Sequence, residues 1–191
     1  MCAGCFISGM AIAALLGWLP LAVLPCYAVC TAWYSLQLKR VPMLDVLVLA
    51  SFYTFRLAGG GLVAQVEPSP WLLALSLFLF LSLAMAKRYS ELFNRKREGG
   101  KANQSRGYLV EDLPQLNVLG ACSGYVAVLV LALYINSSQI VRYYDRPMIF
   151  WAVCPIALYW ISRLWLLAHR GQMNEDPVVF ALKDRVSYVV G

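Results

Sequence analysis

Leu81-Ser-Leu-Ala-Met-Ala-Lys87-Arg88-Tyr89-Ser90-Glu91-Leu92 ends a membrane-length apolar run, Trp71 to Ala86, in two adjacent cations and a carboxylate. An apolar helix that empties into mixed charge marks a membrane exit, because charge is costly in hydrocarbon and well solvated in water. On a helix these charges share a face: Lys87 and Glu91 are four residues apart, Arg88 and Glu91 three. Cations fixed beside a carboxylate at the rim of a membrane cavity suit a metal-bound phosphate or diphosphate. A stop-transfer signal with a solvated charge run accounts for the same stretch.

The rest of the chain agrees with a membrane setting. Of its 191 residues 61% are hydrophobic and 14% charged, where a soluble domain carries about 25% charged residues. This is the composition of an all-α integral membrane protein made almost entirely of spans. The net charge of +6 does not point to nucleic acid, because the cations collect at span ends, as the positive-inside rule produces. The six cysteines lie in apolar surroundings and read as small buried or lipid-facing residues. Cys2-x-x-Cys5 has neither a second pair nor histidine ligands to make a metal site. His169, the single histidine, sits beside Arg170 at a span end and reads as interfacial. No charged segment precedes the first apolar stretch, so no signal peptide is read there.

Spans of about 20 apolar residues divide the chain into about six full crossings and the start of a seventh. Cys2 to Leu38 is too long for one crossing and is split near Gly17 to Leu21, with Pro20 and Pro25 as interruptions. The third span runs from about Leu44 to Val66, the fourth from Pro70 to Ala86, the fifth from Leu116 to Ile135 and the sixth from Met148 to His169. A seventh begins near Val178. Lys39 and Arg40, the basic run from Lys87 to Arg106, and Arg170 to Arg185 then share one side, with Arg142 and Arg146 on the other. The rich side is cytoplasmic by the positive-inside rule. Residues 87–113 form the one extended polar loop, within a single transmembrane domain, 1–191, that reads as cut short at both ends.

Arg56 resists explanation as packing. It follows Asp45 by 11 positions, nearly the same helical face, and lies roughly 16 Å deeper. An arginine at that depth faces a polar cavity or a partner. An anionic ligand would neutralise it, and so would a helix outside this chain. Gly59-Gly60-Gly61, one turn on, would let the helix kink or another group approach closely. Tyr34-Ser-Leu-Gln-Leu-Lys39 presents a hydroxyl and an ammonium at the next interface, as belt residues or as a phosphate grip. Arg163 can snorkel to the surface. Glu175-Asp176-Pro177 could coordinate a cation or cap the seventh helix, and Asp184-Arg185 could form a local ion pair. No Ser-His-Asp set, zinc site, phosphate-binding loop or dinucleotide fingerprint is present.

Tyr34-Ser-Leu-Gln-Leu-Lys39 with Pro42 and Asp45, Phe55-Arg56-Leu-Ala-Gly59, Ser69-Pro-Trp71, Lys87-Arg88-Tyr-Ser-Glu91-Leu92, Glu175-Asp-Pro177 and Asp184-Arg185 follow one another in an order that resembles the UbiA-type prenyltransferase superfamily. The pattern is most similar to its decaprenyl-phosphate phosphoribosyltransferase-like branch. Arg106-Gly-Tyr108 with Asp112-Leu-Pro114 resembles a bacterial subgroup in which a haloacid-dehalogenase-like domain precedes this one. The resemblance implies part of a nine-helix bundle around a cavity. It also implies Mg²⁺ as cofactor, a polyprenyl lipid with phosphate or diphosphate as partner in the bilayer, and no nucleic acid. Location in a bacterial inner membrane is implied too. By carry-over Lys87, Arg88 and Glu91 are the catalytic candidates and Glu91 the metal ligand, while Lys39, Arg56 and Tyr34 bind substrate. The expected reaction is prenyl transfer from a polyprenyl diphosphate, or alternatively phosphoribosyl transfer onto a polyprenyl phosphate. The family's first motif, an Asn/Asp-rich stretch, has no counterpart here, which weakens the expected Mg²⁺ shell and leaves an inactive fragment as a further reading. A small transporter with Arg56 on its path is the other class, but the inverted repeats typical of transporters are not found.

Overall fold

The computed structural model describes residues 8–11, 13–15, 17–97, 99, 102–103, 107–137 and 147–173. Five helices here are long and apolar enough to cross a membrane. They are built on α1 (Trp18–Leu36), α2 (Leu44–Val63), α3 (Pro70–Arg97), α4 (Leu113–Ile135) and α5 (Val153–His169), the last entered through a 3₁₀ turn, Pro147–Ala152. In hydrocarbon each backbone polar group needs an internal partner, and long helices supply it. The protein is an all-α membrane protein, as its composition requires. The seventh span expected near Val178 lies outside the described residues, as do Cys2, Cys5, Arg142, Arg146, Glu175, Asp176, Asp184 and Arg185.

One boundary agrees with the sequence reading and two features differ from it. The division of the first apolar stretch falls at Gly17, whose φ of 124° and ψ of 178° separate the helical residues before it from α1. Glycine adopts that conformation without a side-chain penalty. Pro25 interrupts nothing; it sits inside α1, where a membrane helix can tolerate it. The largest correction concerns the exit of α3. The helix does not stop at Ala86 but continues to Arg97, so the first part of the expected polar loop is helix. The loop also contains a two-stranded antiparallel ribbon, β1 (Ala102–Asn103) and β2 (Tyr108–Leu109), with Asn103 opposite Tyr108.

The core lies between α3, α4 and α5. Leu81, Met85 and Leu92 of α3, Leu116 and Val128 of α4, and Ile161 and Trp165 of α5 are buried together. Close approach depends on Gly120 and Gly124, four apart on one face of α4. A Cβ at Gly120 would lie 2.2 Å from the Trp165 ring, and one at Gly124 would lie 2.6 Å from Ile161. Small residues at this spacing let membrane helices pack backbone against side chain. Ser82 completes the joint: it donates to the Gly120 carbonyl at 2.7 Å and accepts the Trp165 indole N–H at 3.0 Å. Helix α2 joins through Val46 and Ala50, both fully buried. Helix α1 adds no described residue to this core and meets α2 through Tyr27 and Tyr34, both edge-on to Phe52. Exposed Trp18, Val29, Trp33, Phe55 and Leu129 give the outer surface its apolar character, as a lipid-facing surface requires.

Candidate functional site

Helix α3 carries its charges out of the membrane while still packed against α2 and the ribbon, so they are not all solvated. Arg88 is 4% exposed and Asp45 wholly buried. Arg88 Nε donates to Asp45 Oδ2 at 2.7 Å, and Nη1 to Glu91 Oε2 at 2.8 Å. The other Asp45 oxygen, Oδ1, accepts the Tyr108 hydroxyl at 2.5 Å. That hydroxyl in turn accepts the Met43 N–H at 2.8 Å. Met43 is the N-cap of α2, so its N–H stands where a helix leaves donors without internal partners. One chain of bonds thus joins the start of α2, the exit of α3 and the ribbon before α4.

The ribbon is brought to this place by Gly107. Its φ is +73°, and a Cβ there would lie 2.7 Å from the Arg40 carbonyl and 3.0 Å from Pro42. Only glycine lets the strand approach the turn between α1 and α2 so closely, and the approach delivers Tyr108 to Asp45. Downstream, the Asp112 carboxylate accepts the Leu109 N–H at 2.8 Å and so steadies the entry to α4. Burial first, then the Asp45 carboxylate, raises the Tyr108 phenol above its ordinary value. It therefore acts as a hydrogen-bond donor to Asp45.

Arg88 and Glu91 meet as their spacing requires, and Glu91 keeps 33% of its side chain exposed. Lys87 is half-buried on the same helix, and Lys39 is half-buried in the 3₁₀ turn Leu38–Arg40. Tyr34 and Arg56 lie apart from this network, along the α1–α2 face. Tyr34 packs against Phe52. Arg56 donates from Nε to the Tyr27 hydroxyl at 2.7 Å. Sequence reading took Asp45 as part of a motif and Tyr108 as part of a loop, and missed both as site residues. The signals were an acid at the mouth of a span and an Arg-Gly-Tyr turn; their meeting is non-local.

A Mg²⁺ ion does not fit the described residues on their own. Among them no group of three or more His, Cys, Asp or Glu side chains could hold a metal. Both Asp45 oxygens are engaged, and Glu91 Oε2 accepts from Arg88.

On the opposite face of the α3 exit, Tyr89 is buried and its hydroxyl lies 3.2 Å from His169 Nδ1 at the end of α5. His169 thus closes the bundle at the end that holds Arg88. A cleft of about 590 Å³ opens beside it, with Lys96, Glu111 and Asn117 among its lining residues.

No protein-family model matches the chain. It is 34% identical over 167 residues to the uncharacterized protein y4nM of Sinorhizobium fredii, a match that covers 86% of this chain and 32% of that protein. It is 32% identical over 168 residues to the nodulation protein NoeC of Azorhizobium caulinodans, covering 88% of this chain and 55% of that one. It is also 27% identical over 159 residues to the decaprenyl-phosphate phosphoribosyltransferase of Mycolicibacterium smegmatis, covering 82% and 50%. The chain therefore spans about a third of the first of these relatives and about half of the other two.

Proposed function

We propose that this chain is the membrane-embedded part of a transferase of the UbiA type, acting at the phosphate end of a polyprenyl lipid. The observation that carries the reading is the likeness to a decaprenyl-phosphate phosphoribosyltransferase over 82% of the chain, together with the Arg88–Glu91 pair and the adjacent Lys87 at a membrane exit. Phosphoribosyl transfer stands ahead of prenyl transfer, because the named transferase relative carries it. In that reaction a phosphate oxygen of the polyprenyl phosphate bonds to the ribose C1 of phosphoribosyl pyrophosphate, the C1–O bond breaks, and diphosphate leaves with the bonding electrons.

The residues divide by their surroundings. Arg88 is a positioning residue: held by Asp45, it fixes Glu91, and its burial keeps it from travelling to a substrate. Lys87 and Lys39 are the cations suited to a phosphate as compact point charges. Arg56 and Tyr34 belong to the lipid-side face. Magnesium would be held by Glu91, the carried-over carboxylate, with substrate phosphate oxygens completing its shell. The setting proposed is the cytoplasmic face of a bacterial inner membrane.

The test is binding of phosphoribosyl pyrophosphate and of a polyprenyl diphosphate to the purified chain in detergent, with and without Mg²⁺. Saturable binding of the former, weakened about tenfold by Lys87→Ala, supports phosphoribosyl transfer. Saturable binding of the polyprenyl diphosphate alone moves the reaction to prenyl transfer. Binding of neither by a folded chain removes the reading. Arg88→Ala is a poor probe, because it strands a buried carboxylate.

A further inference from the structure

Arg56 is the thirteenth residue of the 20-residue helix α2. It lies about 18 Å along the axis from Leu44, near the middle of a hydrocarbon core about 30 Å thick. It is exposed in the fold of this chain. Its guanidinium stands over the rings of Tyr27 and Tyr53, with centroids 5.3 and 5.6 Å away, and its Nε donates to the Tyr27 hydroxyl. These contacts hold the group in place, and none of them carries a negative charge. Among the described residues every acid in or beside a span is at an end: Asp45, Glu67, Glu91, Glu111 and Asp112. A cation with no opposite charge beside it at this depth is among the costliest groups a membrane protein can carry.

The face around it is shaped to be covered. Two overlapping clefts of about 520 and 440 Å³ run along α1 and α2 and share Tyr27 and Gly59. Ala22, Cys26 and Cys30 recur every four residues on the α1 wall, the spacing at which small residues admit a neighbouring helix.

The geometry points to a docking face for a partner transmembrane helix that carries one carboxylate near mid-bilayer, paired with Arg56 while its backbone lies in the small-residue groove. Depth favours this occupant over a lipid anion. Phosphate headgroups stay at the interface, about 15 Å from the midplane, whereas a side chain on a spanning helix can sit at any depth. Charge disfavours a second copy of the chain, which would set Arg56 against Arg56. The relatives have length for further helices, since the matches cover 32% and 55% of them. The pairing is independent of the transfer reaction.

The experiment places the donor-labelled full chain in lipid bilayers with acceptor-labelled leucine-alanine helices of about 23 residues. One helix carries a central Glu, one a central Gln, and one a Glu near its end. Energy transfer should report association with the central-Glu helix about tenfold tighter than with either control, and Arg56→Leu should abolish the preference. Equal binding of the Glu and Gln helices to the wild-type chain overturns the proposal without any variant having to fold. A preference that survives Arg56→Leu, an absence of binding, or self-association of the chain that excludes the helix overturns it as well.

Discussion

Arg88 Nε and Asp45 Oδ2 stand 2.7 Å apart, with side chains 4% and 0% exposed. The pair fastens the start of α2 to the exit of α3 across 43 positions of sequence. A buried ion pair adds little net stability over a well-packed apolar pair, but removal of one partner strands a buried charge. Asp45→Ala should therefore lower stability by about 3–5 kcal/mol, read as loss of helical circular dichroism on titration of the detergent-solubilised chain with a denaturing detergent. The double change Asp45→Leu with Arg88→Met should recover most of that loss. A single mutant as stable as wild type would show that Arg88 finds another partner.

Tyr108 supplies the second bond to Asp45 and accepts the Met43 N–H with the same oxygen. Tyr108→Phe leaves both groups short of a partner, at a cost of about 1–3 kcal/mol. It should also change the response to alkali. The phenol's pKa is raised in the folded state, by burial and then by Asp45, so the native protein holds this proton more tightly than the unfolded chain does. The stabilisation is complete below the ordinary tyrosine value of about 10 and is lost as pH rises above it. The wild-type advantage over Tyr108→Phe should be flat near pH 8 and shrink above pH 10. An advantage that grows with alkali would reverse the assignment.

The five crossings were legible because hydropathy is local, and a run such as Trp71 to Ala86 allows little besides a span. The exit of α3 was misread for a related reason. Lys87-Arg88 looks like contact with water, yet Arg88 is buried because Asp45 comes from a distant helix and Tyr108 from a ribbon beyond the exit. Neither pairing has a local signature. Arg56 stood out in the sequence as a charge out of place, while its neighbour Tyr27 looked like any aromatic in a span. The triple glycine had two readings, a kink or a close approach. Helix α2 runs through it to Val63, and the close approach is real: a Cβ at Gly61 would lie 2.8 Å from the Val66 carbonyl.

Gly120 and Gly59 should respond oppositely to the same change. At Gly120 an added methyl meets the Trp165 ring at 2.2 Å and Met85 Cβ at 3.0 Å, both within the tightest joint of the bundle. Overpacking of this kind costs about 1–3 kcal/mol, and Gly120→Ala should also disturb the Trp165–Ser82 bond and change the tryptophan fluorescence. At Gly59 nothing lies within 4 Å of the added Cβ. Gly59→Ala should therefore gain about 0.5–1 kcal/mol from helix propensity. Unfolding titrations of the two variants side by side test the contrast, and equal effects would contradict the packing of α4 on α5.

The two helix ends at Ala64 and Arg170 use one device with different residues. After α2, Gln65 at φ 56° donates to the Leu62 carbonyl at 3.3 Å and Val66 to Gly61 at 2.9 Å. After α5, Gly171 at φ 67° donates to Ala168 and Gln172 to Leu167, both at 3.0 Å. Both are Schellman closures, in which the residue just past the helix takes a left-handed conformation that glycine adopts freely. Glutamine is strained there by about 1–2 kcal/mol, so Gln65→Gly should stabilise the chain by about 1 kcal/mol. Gly171→Ala should do the reverse and more, because its Cβ would also meet the Phe93 ring at 2.3 Å. Melting temperatures of the two variants in one detergent give the comparison. If Gln65→Gly destabilises, the glutamine side chain holds the turn through contacts that outweigh its backbone strain.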